Sequence, residues 1–165
     1  MPLILALLLA AQMSSQTTPV QPIVKGTGLP PPGTEEAQVM APVNALLAGI
    51  AARDAAAIGQ ALRSDATATA TAVAEQADGT RKITHSTREQ LLARFAPGPE
   101  RYDERLGTPA VEIDGDIAMV WSPYTFRIDG KLHHCGYDHF GLVREGGSWK
   151  VQNLTWSSRT TGCEG

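Results

Sequence analysis

A chain of 165 residues has room for one ordinary hydrophobic core and hardly for two. With 42% hydrophobic and 19% charged residues it has globular proportions, which excludes wholesale disorder. A formal charge of -3 supplies no basic face, so nucleic acid is not an expected partner.

The opening MPLILALLLAAQ is an apolar run of about ten residues followed by small ones. That is the length of a signal-peptide core and far short of the roughly 20 residues that span a bilayer. Residues 1–13 are therefore expected to be an export signal cleaved near Ala11, although no Lys or Arg precedes the run. A buried N-terminal segment is the alternative. Export makes the mature protein periplasmic or secreted, with no membrane span. Residues 14–34 are rich in Pro, Ser, Thr and Gly without apolar periodicity and are expected to be an extended linker. The folded domain is then 35–165.

Thr34 can cap a helix whose first turn carries Glu35 and Glu36. Val39, Val43, Leu46, Leu47 and Ile50 recur at helical spacing, and Pro42 should kink this helix or delay its start. Asp54 can cap a second helix that carries Ile58 and Leu62 inward. ATATATAV at 66–73 alternates as a strand does, and its small side chains suit a close helix or a pocket beside it. Ser86 and Glu89 stand at capping-box spacing ahead of a third helix bearing Leu91, Leu92 and Phe95. From Arg101 the chain reads as an antiparallel meander turning at Asp114-Gly115, Asp129-Gly130 and Gly146-Gly147. The expected fold is α+β, a curved antiparallel sheet with about three helices on its concave face.

The helix pair around AARDAAAIGQAL, the run HCGYDHFGLVREGGSWKV and Arg159 after the last strand together resemble the nuclear transport factor 2-like superfamily. This cone-shaped fold is shared with ketosteroid isomerases and polyketide-cyclase-like proteins. The spacing of Trp121, Tyr124, Phe126, Asp129, Gly130 and Lys131, leading into His134-Cys135-Gly136, resembles the lumazine-binding branch. The Asp-Thr-Arg ending of that branch stands here as Ser157-Ser158-Arg159. The resemblance implies a cone open to a small ligand, and a homodimer through the outer sheet face. It does not imply an activity, because the fold hosts enzymes, binding modules and structural domains alike.

The segment KLHHCGYDHFG concentrates three of the four histidines. In a strand, residues two apart share a face at about 6.6 Å and residues four apart are separated by about 13 Å. One face carries His133, Cys135, Tyr137 and His139; the other carries Leu132, His134, Asp138, Phe140 and Leu142. Only His133 and Cys135 could converge on a metal ion, so no metal site is expected, and no cofactor motif stands out. His134 and Asp138 are too far apart for a direct dyad, but Phe140 and Leu142 mark their face as the buried one. His134, Asp138 and Tyr124 are therefore the candidate acid–base residues, and Tyr124, His134 and Trp121 the candidate ligand contacts; structural hydrogen bonding is the competing role. His85, just before a helix, is the weaker candidate, read as an exposed turn residue.

Three functions remain open. The first is an exported protein binding a small apolar or aromatic molecule in the helix–sheet cavity. The second is an isomerase-, dehydratase- or cyclase-like enzyme using His134 or Asp138 with Tyr124. The third is a noncatalytic dimerisation module. Two cysteines in an exported chain are expected to pair, Cys135 with Cys163, the alternative being a small buried Cys135 and a free Cys163.

Overall fold

The computed structural model describes residues 33–163 apart from 65–69, 76–77 and 79. The expected export signal, nearly all of the linker and the first half of ATATATAV lie outside the described residues. Helix α1 (Glu35–Ala52) begins where Thr34 Oγ1 accepts the Ala37 N–H at 3.2 Å, and it runs through Pro42 with no delay to its start. Arg53 ends it in the left-handed region, and Asp54 starts α2 (Ala55–Ala61) by accepting the N–H groups of Ala56 and Ala57 at 2.9 and 3.0 Å. The two helices pack closely at Gly49, where a Cβ would stand 2.8 Å from the Ile58 side chain.

Strands β1 (Ala70–Glu75) and β2 (Arg81–Ser86) form a hairpin, followed by α3 (Arg88–Ala93). The capping box of α3 is Thr87 with Gln90, one residue later than expected, because Ser86 is still the last residue of β2. The stretch 101–114 is two strands, β3 (Tyr102–Leu106) and β4 (Ala110–Asp114), both paired antiparallel with β5 (Ile117–Ile128). Gly107-Thr108-Pro109 breaks them, and the Gly107 N–H turns to the Pro123 carbonyl at 2.7 Å. Strand β6 (Lys131–Glu145) follows a turn whose Asp129 and Gly130 take φ of 51° and 78°. Strand β7 (Ser148–Ser158) follows Gly146-Gly147 at 57° and 80°. Both are two-residue turns with positive φ, whose twist matches the flanking strands. The first turn of the meander sits at Gly115-Asp116, one residue past the expected position.

The sheet order is β2-β1-β7-β6-β5-β3, with β4 also on β5. All pairs are antiparallel except β1 with β7. Two bulges curve it: the β5–β6 register shifts at Phe126/Arg127 opposite His133, and the β6–β7 register shifts at Gly141/Leu142 opposite Gln152. The concave face presents Val120, Phe140, Leu142, Val151 and Leu154 to Val39, Val43, Leu46 and Ile58 of the helices, forming one core with Trp149 in it. This is the expected α+β cone with three helices against a curved sheet. No helix among the described residues is long and apolar enough to cross a membrane.

Beyond β7 the chain stays on the sheet. Cys135 and Arg159 exchange both main-chain hydrogen bonds, at 3.0 and 2.9 Å. Cys163 then returns to Cys135 in a disulfide with a Cα–Cα separation of 5.7 Å. The crosslink closes a loop with a sequence separation of 28, which stabilises the fold by about 3–4 kcal/mol in the chain-entropy model. Titration of the unreduced, denatured protein should find no free thiol, and reduction should lower the unfolding midpoint. Two free thiols per chain would refute the bond.

Candidate functional site

Between the helices and the concave face lies a cavity of about 230 Å³. Its helix side is aliphatic, from Leu46, Ile50, Ile58 and Leu91. Its sheet side is largely aromatic, with Tyr102 on β3, Tyr124 and Phe126 on β5, and Trp156 on β7. Two carboxyls and two imidazoles also line it, from Glu104, Asp138, His133 and His134, with Arg94 just after α3. This is an apolar pocket with a few convergent polar groups, the usual composition of a small-molecule site.

Strand parity accounts for most of the arrangement. Asp138 pairs with Ser122, and Tyr124 and Phe126 follow Ser122 at alternate positions of β5, so all share the inner face with His134. Trp121 has the opposite parity: it stacks on Tyr137 with centroids 5.3 Å apart and is 42% exposed on the outer face. The structure thus brings Tyr124, His134 and Asp138 to the cavity and leaves Trp121 off it. His85 is an exposed strand residue of β2 rather than a turn residue. His133 was expected on the outer face. The bulge at that point brings it to the cavity lining instead, still exposed, and its Nδ1 lies 2.8 Å from Nδ1 of His134.

Glu104 is the residue that sequence reasoning missed. It lies in YDERL, a strand whose alternation is masked by charge, and pairs with Phe126. From there its carboxyl reaches the carboxyl of Asp138 and hydrogen-bonds it. The two come from strands separated by β5, so their meeting follows from the curvature of the sheet. Burial raises Glu104 to about 7, partly offset by the hydrogen bond to Asp138. Asp138 is 2% exposed, and burial, then the charge and hydrogen bond of Glu104, push it well above the usual carboxylate range. Two carboxyls so placed, Asp138 buried and Glu104 half-buried, disfavour ionising together, so the pair keeps a proton to higher pH than free carboxyls do.

The aromatic side is equally constrained. Tyr124 is raised above its ordinary value by burial and by the charges of Asp138 and Glu104, and its hydroxyl donates to the Ser157 carbonyl at 2.9 Å. Its proton is thus engaged by the main chain rather than offered to the cavity. That carbonyl is free because the β6–β7 ladder is interrupted between Asp138↔Trp156 and Cys135↔Arg159. Within the gap the Tyr137 N–H goes to Ser157 Oγ at 3.0 Å. Gly136 lies beneath it, where a Cβ would stand 1.9 Å from the Ser157 oxygen, so no other residue fits. His134 stacks on Phe126 with centroids 4.9 Å apart. Burial, then the positive charges of His133 and Arg94, lower it to about 4, which keeps it neutral at physiological pH. Among the described residues no group of three His, Cys, Asp or Glu is placed to hold a metal ion, and Cys135, one of the two residues that could have begun one, is in the disulfide.

Residues 34–157 match the family described as "Putative lumazine-binding", and the chain belongs to that family. No curated protein matches it. Solved structures share the fold. A nuclear transport factor 2-like protein of unknown function from Shewanella baltica is 17% identical with a TM-score of 0.55, over 77% of this chain and 95% of that one. A nuclear transport factor 2-like protein from Cytophaga hutchinsonii is 15% identical with a TM-score of 0.59, over 76% and 98%. A "putative dehydratase" of the same superfamily from Streptomyces avermitilis is 17% identical with a TM-score of 0.58, over 73% and 93%.

The carboxyl pair has a consequence for stability. In the unfolded chain both groups ionise near 4, whereas the folded chain retains a proton to about 7. The folded state therefore binds more protons in that window, and its stability falls as pH rises through it. His134 works oppositely, adding stability as pH rises from about 4 to its unfolded value of 6.5. A comparison with Glu104→Gln isolates the carboxyls: the melting temperature of the variant minus that of the wild type should increase by several degrees between pH 4.5 and 7.5. A difference independent of pH would show that the pair ionises freely.

Proposed function

We propose that the protein binds a compact, largely aromatic small molecule in the helix–sheet cavity and acts as a binding protein. The cavity itself carries this reading: about 230 Å³ of space walled by aliphatic and aromatic side chains, with Glu104, His134 and Asp138 as polar groups in its lining. Such a space accommodates one or two rings, not a drug-sized molecule. The lumazine-binding family and the dehydratase-like neighbour support a small-molecule role without identifying the ligand.

The second reading is an acid–base enzyme, favoured by one observation. A carboxyl pair holding a proton near neutral pH supplies a base and an acid at one place, which isomerisation and dehydration both require. In this reading Asp138 and Glu104 exchange the proton, and His134 is too weakly basic to be the main acceptor. Tyr124 would orient rather than donate, given its bond to Ser157.

Export remains part of the proposal. The Cys135–Cys163 bond supports an oxidising compartment, and the apolar opening supports the route. We also propose a homodimer through the outer face, where the Trp121–Tyr137 stack and His139 form an aromatic patch beside β7. Light scattering should give twice the chain mass at micromolar concentration, and Trp121→Asp should give the monomer. A wild-type monomer would end this part.

Ligand-observed NMR with a panel of one- and two-ring aromatics should reveal binders. Ile128→Trp, at a half-buried wall position, should lower their affinity at least tenfold, and His134→Ala by a smaller factor, with folding intact. Unchanged affinities would move the site elsewhere. Turnover of a bound compound that vanishes in Asp138→Asn would select the enzyme reading.

A further inference from the structure

Glu104 and Asp138 stand against each other in the wall of an aromatic cavity. None of the ion pairs among the described residues involves either group. Asp138 Oδ2 is fully buried and receives no N–H or O–H from the protein beyond a proton shared with Glu104. Buried carboxylates are ordinarily paired or bonded to several donors, because an uncompensated charge is costly in a dry site. The surrounding walls are rings: Phe95, Tyr102, Phe126 and Trp156 all face the cavity. Ring faces attract cations, more strongly where water is excluded.

Resting on the binding reading above, we infer that the cavity takes a small organic cation, a flat ring bearing a protonated amine or amidine, whose N–H groups reach the Glu104–Asp138 pair while the ring stacks among the aromatic walls. A guanidinium- or amidinium-type head matches two adjacent carboxyls, since it presents parallel N–H donors in one plane. The charges around the pair agree with this polarity. From β5 it faces Tyr124, whose proton is bound to Ser157; from β6, neutral His134 and beyond it His133; from β3, Tyr102, whose ring has the Arg53 guanidinium 4.5 Å from its centroid. The helices contribute aliphatic side chains, and Arg94 beyond α3 is drawn to the Trp156 ring, 5.7 Å from its centroid. Arg159, past β7, is the other cation near Tyr124. Binding replaces the shared proton by the ligand charge, so cation binding releases a proton and strengthens as pH rises through 7.

Benzamidinium and benzamide separate charge from shape, being nearly the same size and both able to donate N–H groups. Calorimetric titration of the full-length oxidised protein should show benzamidinium binding at least tenfold tighter than benzamide at pH 8. The advantage should shrink by pH 6, and the enthalpy should vary with the buffer as expected for a released proton. Glu104→Gln or Asp138→Asn should bring the two probes within about threefold of each other, with the NMR spectrum still that of a folded chain. Should Asp138→Asn fail to fold, Glu104→Gln and the wild-type pH series decide. Benzamide binding as tightly as benzamidinium at pH 8 would overturn the cation inference and leave the cavity reading intact. Binding of neither probe to folded protein would overturn both.

Discussion

The deep end of the cavity depends on one main-chain carbonyl. Where β7 should continue its ladder with β6, the Ser157 oxygen turns toward the concave face and is taken by the Tyr124 hydroxyl. The turn is tolerated because Gly136 has no Cβ to meet it and because Ser157 Oγ receives the displaced Tyr137 N–H. Each such bond is worth only about 1 kcal/mol net, but leaving a buried partner unmade costs more. The arrangement therefore behaves as a unit: without Gly136 the carbonyl cannot turn, and without the carbonyl Tyr124 buries an idle hydroxyl. Holding Tyr124 in place keeps one wall of the cavity fixed between Glu104 and Asp138, which both act on its ionisation.

The carboxyl pair is the part of the site that the fold alone does not explain. Replacing buried ionisable pairs with apolar residues is often neutral or stabilising, so their presence needs another reason. Neither a cap, an ion pair nor a turn among the described residues uses Glu104 or Asp138. Both belong to the lining of the cavity rather than to the apolar core. A proton held near neutrality and an unfilled acceptor are properties a ligand or a reaction can use, and a core cannot. His134 differs: it is accommodated as a neutral ring between Phe126 and Tyr124, where burial suppresses its charge.

Much of this was legible in the residues, and the failures have local causes. Thr34 and Asp54 cap as their side chains suggest, and the Asp-Gly and Gly-Gly turns place β5, β6 and β7. Phe140 and Leu142 identified the inner face of β6, which located Asp138 and His134 on it. Strand β2 escaped notice because RKITHS lacks alternation and its one large apolar side chain, Ile83, is 60% exposed. His133 was assigned to the wrong face because period-two counting fails across a bulge, and nothing in LHHC signals one. Glu104 was missed because a charged strand at the sheet edge reads as solvent-facing, whereas strong curvature turns it over the cavity. Trp121 drew attention through its motif position, but its odd parity on β5 places it with Tyr137 and His139 outside.

The disulfide belongs to the same structural problem. An interrupted ladder at the end of β7 leaves main-chain groups of both strands without their regular partners. Two main-chain bonds between Cys135 and Arg159 resume the ladder past the gap, and Cys163 then locks the tail to the same residue. Cys135 stands between His134, which lines the cavity, and Gly136, which admits the turned carbonyl. A crosslink at that residue constrains the strand that carries both features, so it stabilises the cavity's polar lining more directly than its loop entropy alone would indicate. Tyr137 of the outer ring stack and Asp138 of the inner carboxyl pair are thus neighbours on β6, the strand that is anchored at the point where its regular pairing stops.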